Sequence, residues 1–145
     1  MAGFADQVKA WERKTERKMD LAVRKIALKI FAQIVLKSPV DSGRFRSNWQ
    51  VAIGSVPTGT QEGNEFPQGD AVDVKGPIYY AKLSGGEATL FGANAGDTIY
   101  FANNLPYARR LEEGYSQQAP AGMVALTVQQ FQSIVSAIGI ELSIQ

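Results

Sequence analysis

Cysteine and histidine are both missing from these 145 residues. Without cysteine there are no disulfides, no thiolate metal ligands and no thiol nucleophile. Without histidine, the commonest general base and the commonest metal ligand are gone as well. Carboxylate catalysis remains, but it needs two acidic groups facing each other across a cleft, and no spacing in the chain places them so. Gly85-Gly86 stands in neither a Walker nor a dinucleotide pattern. The densest apolar stretch, IALKIFAQIVL at 26–36, is too short for a membrane span and carries Lys29 and Gln33. The first residues, MAGFADQVKAWERK, show no apolar signal core. The expectation is a non-enzymatic chain without cofactor or metal, made in the cytoplasm and not bound to a membrane.

Apolar residues make up 45% of the sequence, enough for a core without covalent staples, and the length fits one domain over 1–145. The net charge of +1 conceals a dipole. Residues 4–37 hold nine Lys/Arg against four Asp/Glu, a net of +5, and the remainder carries a net of −4. Such a chain can stack basic segment against acidic body in copies of itself.

Neither Gly nor Pro occurs from Phe4 to Ser38, and Pro39 ends the run, so 4–37 is predicted as one long helix. Phe4, Val8, Trp11, Thr15, Met19, Ala22, Ile26 and Ile30 recur at spacings of three and four. The stripe is narrow up to Leu21 and broadens after it, which predicts a second half buried in the domain and a first half grazed on one side. Thirty-four helical residues span about 50 Å, whereas a compact chain of this size is roughly 40 Å across. The first half is therefore expected to project onto a neighbouring subunit through Phe4, Val8 and Trp11. The competing reading is a helix bent back on its own domain.

Beyond the helix, residues 48–53 alternate as a strand around Trp49, Val51 and Ile53. Residues 54–70 are predicted as a long Gly- and Pro-rich flexible loop, and 71–80 as a second strand. A short helix is placed at 87–93 and a strand at 97–102. A second short helix is placed at 106–113, ended by Gly114, and a C-terminal helix over 123–138. The order gives an α+β fold, a small antiparallel sheet packed by a long N-terminal helix and a shorter C-terminal helix.

Two segments carry a resemblance: SPVDSGRFRSNW at 38–49, and FANNLPYARRLEEGYSQQAPAGMVALTVQQF at 101–131. Together they are similar to the tail-completion or neck proteins of long-tailed bacteriophages, the minor tail protein Z-like or head–tail joining proteins. The resemblance implies a structural virion protein of the neck or upper tail that forms a ring, of six copies by family likeness, at the head–tail junction. It further implies contacts with adjacent neck and tail-tube proteins, DNA only as passing cargo in the lumen, and no catalysis. A tail terminator or a head-completion (stopper) protein of the same neck stays open.

The residues of these segments support two readings each. Asp41 and Gly43 suit a turn after Pro39, and Trp49 suits a strand anchored in the core. Arg44 and Arg46, at alternate positions of an extended segment, are either a solvated face or pair with a carboxylate across a subunit boundary. Asn103, Asn104 and Pro106 turn strand into helix, and Tyr107 offers a flat apolar face with a polar tip. Arg109, Arg110, Glu112 and Glu113 are a surface ion-pair cluster or an intersubunit one. Pro120, Gly122 and Met123 open the last helix, with Gly122 allowing close backbone approach.

A nucleic-acid-binding reading competes. Lys14, Lys18, Lys25 and Lys29 share one face of the long helix, with Lys9, Arg13, Arg17 and Arg24 beside them, which could track phosphates. Glu12, Glu16 and Asp20 run alongside, and no DNA-binding motif is present.

Overall fold

The structure, a computed structural model, describes residues 3–39, 44–60 and 86–143. Asp41, Gly43, the expected strand at 71–80 and residues 61–70 of the expected loop lie outside them. The long helix α1 runs from Phe4 to Lys37. It stops at Ser38, whose extended backbone (φ −75°, ψ 138°) is what a following proline demands. Next come α2 (Arg44–Ser47), β1 (Trp49–Ile53), α3 (Gly86–Phe91), β2 (Ile99–Asn103), α4 (Ala108–Glu112), α5 (Val124–Gln129) and α6 (Phe131–Ser143).

Strands β1 and β2 form a two-stranded antiparallel sheet with Trp49 opposite Asn103 and Ile53 opposite Ile99. The architecture is the α+β arrangement expected, with three differences. Arg44 and Arg46 lie on a short helix, not on an extended segment, so they leave the backbone in nearly opposite directions. The third helix starts and ends earlier than 87–93. The C-terminal helix is broken at Gln130 and continues to Ser143, because periodic apolar residues Ile138 and Leu142 still find α1 to pack on.

Two clusters hold these elements together. In the first, Phe31, Ile34 and Val35 of α1 meet Phe45, Trp49, Leu105, Ala119 and Met123. In the second, Ile134, Ile138 and Leu142 of α6 lie on Ala22, Ile26 and Ile30 of α1. The helices run antiparallel. Lys37 donates to Gln130 Oε1 (2.8 Å) at one end, and Lys25 pairs with Glu141 at the other. A turn over 93–97 docks on the opposite side of α1: Arg24 Nε donates to the Ala93 carbonyl (2.6 Å), and Asp20 Oδ1 accepts the Ala95 N–H (2.8 Å).

Candidate functional site

The two resembling segments meet in space. Phe45 meets Trp49 edge-on, with ring centroids 5.8 Å apart, and lies tilted against Tyr107 at 6.1 Å. Asn103 Nδ2 donates to the Phe45 carbonyl (2.9 Å), tying the end of β2 to α2. Asn104 Nδ2 donates to the carbonyls of Pro57 (3.1 Å) and Gly59 (3.0 Å), holding the first part of the loop that follows β1. Pro106 and Tyr107 form the exposed turn into α4.

Trp49 closes the end of α1. Its Nε1 donates to Ser38 Oγ at 2.8 Å, and that hydroxyl donates onward to the Ile34 carbonyl at 2.7 Å. Arg46 completes the cap, with Nε 3.1 Å from the Ser38 carbonyl and Nη2 3.3 Å from that of Leu36. The last carbonyls of a helix lack partners and carry its negative dipole end, so a guanidinium satisfies both needs. Arg46 thus has a role inside the subunit. Arg44 begins α2, half-buried.

The second segment folds tightly on itself. Helix α4 ends in a Schellman turn: Gly114 has φ +90°, its N–H bonds the Leu111 carbonyl (3.1 Å), and the Tyr115 N–H bonds that of Arg110 (3.1 Å). A Cβ on Gly114 would collide with the Pro120 carbonyl oxygen. Glu112, expected in an ion-pair cluster, instead accepts the backbone N–H groups of Met123, Val124 and Ala125, each at 2.9 Å, at the start of α5. Partial burial pushes its carboxyl up, but the three donors pull it further down, and the balance lies below the ordinary carboxylate value. Of the four charges there, Arg109 and Glu113 form an exposed pair at 3.1 Å, and Arg110 is exposed. Nothing in the sequence marked Glu112 as a cap, because the helix it serves begins twelve residues later.

Two apolar features stand out among the described residues. The first is the outer half of α1. The stripe that α6 covers at Ala22, Ile26 and Ile30 continues bare toward the N-terminus, with Phe4 82% and Trp11 66% exposed and Val8 and Met19 exposed beside them. This arm, from 4 to 19, spans about 22 Å. The second is a groove of about 430 Å³ beside the α1–α6 seam, floored by Ile30, Ile34 and Phe101 and walled by Val124, Val128 and Phe131. One unbroken helix over 123–138 would carry these last three on a single apolar face with Ile134 and Ile138; the structure divides that face between the core and the groove.

Among the described residues no group of His, Cys, Asp or Glu is placed to hold a metal ion. No described helix is long and apolar enough to cross a membrane. Three of the four basic residues in the inner half of α1 are engaged within the subunit: Arg24 with Ala93 and Asn94, Lys25 with Glu141, and Lys37 with Gln33 and Gln130, while Lys29 is exposed. Burial lowers the Lys37 ammonium below its ordinary value.

No curated protein and no solved structure matches the chain. Residues 2–114 match the family described as "Bacteriophage HK97-gp10, putative tail-component", a stretch that takes in α1, the sheet and the Schellman turn at Gly114. The chain therefore belongs to the HK97-gp10-like family of bacteriophage tail components.

Proposed function

We propose that this tail component is a tail-completion protein of the phage neck, assembling as a homo-oligomeric ring of six copies at the head–tail junction, next to neck and tail-tube proteins and with DNA passing through its lumen. In this reading 1–145 is one domain, and the outer half of α1 projects from it as an arm that packs on the adjacent copy. The protein works by contact and does no chemistry on a substrate.

The observation that carries the reading is the exposed ridge of Phe4, Val8 and Trp11 on a regular helix. Solvated helix ends seldom keep two aromatics in register, because each leaves a large apolar area in water. A repeating unit with a donor surface at one place and an acceptor surface at another builds a ring when the rotation closes.

Removing the protein from its phage tests the position. A tail-completion role gives full heads and tails of normal length that fail to join. Heads that leak DNA would indicate a stopper instead, and tails of uncontrolled length a terminator.

A further inference from the structure

We propose that the groove floored by Ile30, Ile34 and Phe101 is the receptor for the α1 arm of the next copy, with Phe4, Val8 and Trp11 of one subunit lying along Val124, Val128 and Phe131 of its neighbour. The proposal rests on the ring reading above and names the surfaces that would close the ring.

The two ridges have the same spacing in sequence, the second running across the break at Gln130 from α5 into the first residue of α6. Phe4, Val8 and Trp11 follow one another at steps of four and three, and so do Val124, Val128 and Phe131. Helical rows with matching steps can interdigitate along their length. The chain already shows what kind of surface covers this stripe. Further along the same face of α1, the Ile134, Ile138 and Leu142 ridge of α6 covers Ala22, Ile26 and Ile30. The arm is the continuation of that stripe past the end of α6, and the groove wall is the part of the C-terminal ridge that the described residues leave partly uncovered.

Charge is compatible with the fit. Among the described residues none that lines the groove is charged, and the arm's ridge has no charge either. Glu12, Lys14 and Lys18 border the ridge and would stay at the wet rim, where charged groups belong in an interface.

Area argues for a repeated contact. Aromatic side chains bury about 150–250 Å² each, so Phe4, Trp11 and Val8 with the matching groove surface bury roughly 800 Å² in all, below the range of about 1,200–2,000 Å² for stable pairs. A single contact is weak. Each copy makes two, one as donor and one as acceptor; a closed ring satisfies every arm and every groove, reciprocal exchange between two copies would do so as well, and particle mass separates the two. Pairing of arm with arm would stop at two copies and leave each groove bare.

The absence of native cysteine gives a direct test. Val8→Cys and Val128→Cys are prepared separately in the full-length chain, mixed at a concentration where the wild type assembles, and treated with a mild oxidant. The expected result is a mixed disulfide dimer at least tenfold more abundant than the dimer of either variant alone. Dominant Val8→Cys homodimers would overturn the proposal in favour of arm–arm pairing. Rings of wild-type mass without the mixed disulfide would overturn the groove assignment and leave the ring standing. A wild type that stays monomeric at every concentration, with no mixed disulfide, would overturn both. In parallel, Val128→Asp, at a position 66% exposed in the subunit, should keep the wild-type melting curve and lose assembly. Assembly retained there counts against the groove.

Discussion

Gly122 lies so close to Glu112 that a Cβ on it would sit 2.5 Å from the Glu112 carbonyl oxygen and 2.8 Å from Oε1, while its own φ is +83°. Replacing it with alanine meets both a backbone conformation that favours glycine and a rigid neighbour. Gly122→Ala should cost about 2–3 kcal/mol, which at this size is a fall of roughly 6–9 °C in Tm. Gly96→Ala, at φ +92° with nothing within 4 Å, carries only the conformational part and should cost about 1 kcal/mol. Melting curves of the two variants separate contact from backbone strain.

Glu112 is held below the ordinary value of 4.5, against its partial burial, by the N–H groups of Val124, Ala125 and Met123. A carboxyl depressed in the folded state binds its proton more readily once unfolded. Its contribution is therefore fully present above 4.5 and is lost as pH falls through the lower folded value. Glu112→Gln should cost about 1 kcal/mol at pH 7, within the range for helix caps, and the gap from wild type should shrink as pH drops below 4.5. Denaturant midpoints at pH 7 and in the acid range check both statements.

Ser38 Oγ receives the buried Trp49 N–H and passes a hydrogen bond to the Ile34 carbonyl. Ser38→Ala strands an indole N–H in the core, at a cost of about 1–3 kcal/mol. Trp49→Phe removes the donor together with the need for it. Placed on the Ser38→Ala background, it should therefore cost less than it does on the wild type. A double-mutant cycle measures the difference.

The two tryptophans report different events. Trp49 is 5% exposed and Trp11 66%. In dilute subunit, acrylamide should quench about half of the emission, and Trp11→Phe should remove that accessible share. On assembly the accessible share should fall in the wild type. Unchanged quenching in the assembled particle would show Trp11 still in water.

The long helix was legible because its signals are local: no Gly or Pro, a proline stop, and a stripe of constant pitch. The strands at Trp49 and Ile99 were legible from alternation. The intrasubunit duties of Arg46 and Glu112 were not. Both act on helix ends distant in sequence, so nothing in their local pattern separates an arginine on an extended edge from one capping α1. The division of the C-terminal apolar face was hidden for a related reason. Val124 and Ile134 look alike on a helical wheel, and only the direction from which α1 approaches assigns one to the groove and the other to the core. Length pointed toward the exposure of Phe4 and Trp11 but left a bent helix open, and the unbroken run of α1 from Phe4 to Lys37 decides between them.

Deleting residues 1–18 addresses the central claim, that the arm assembles the protein and does not hold its fold. The deletion removes Phe4, Val8 and Trp11 with five Lys/Arg and spares both core clusters, which begin at Ala22. Molar mass by light scattering across a concentration series, with circular dichroism melting of the same samples, is the deciding measurement. The account predicts rings for the full chain, and for the truncated chain a monomer that melts within about 3 °C of the dissociated full-length subunit, as expected when the loss is under about 1 kcal/mol. A truncated chain that still forms particles of the full ring's copy number, or one that unfolds many degrees earlier as a monomer, would contradict it.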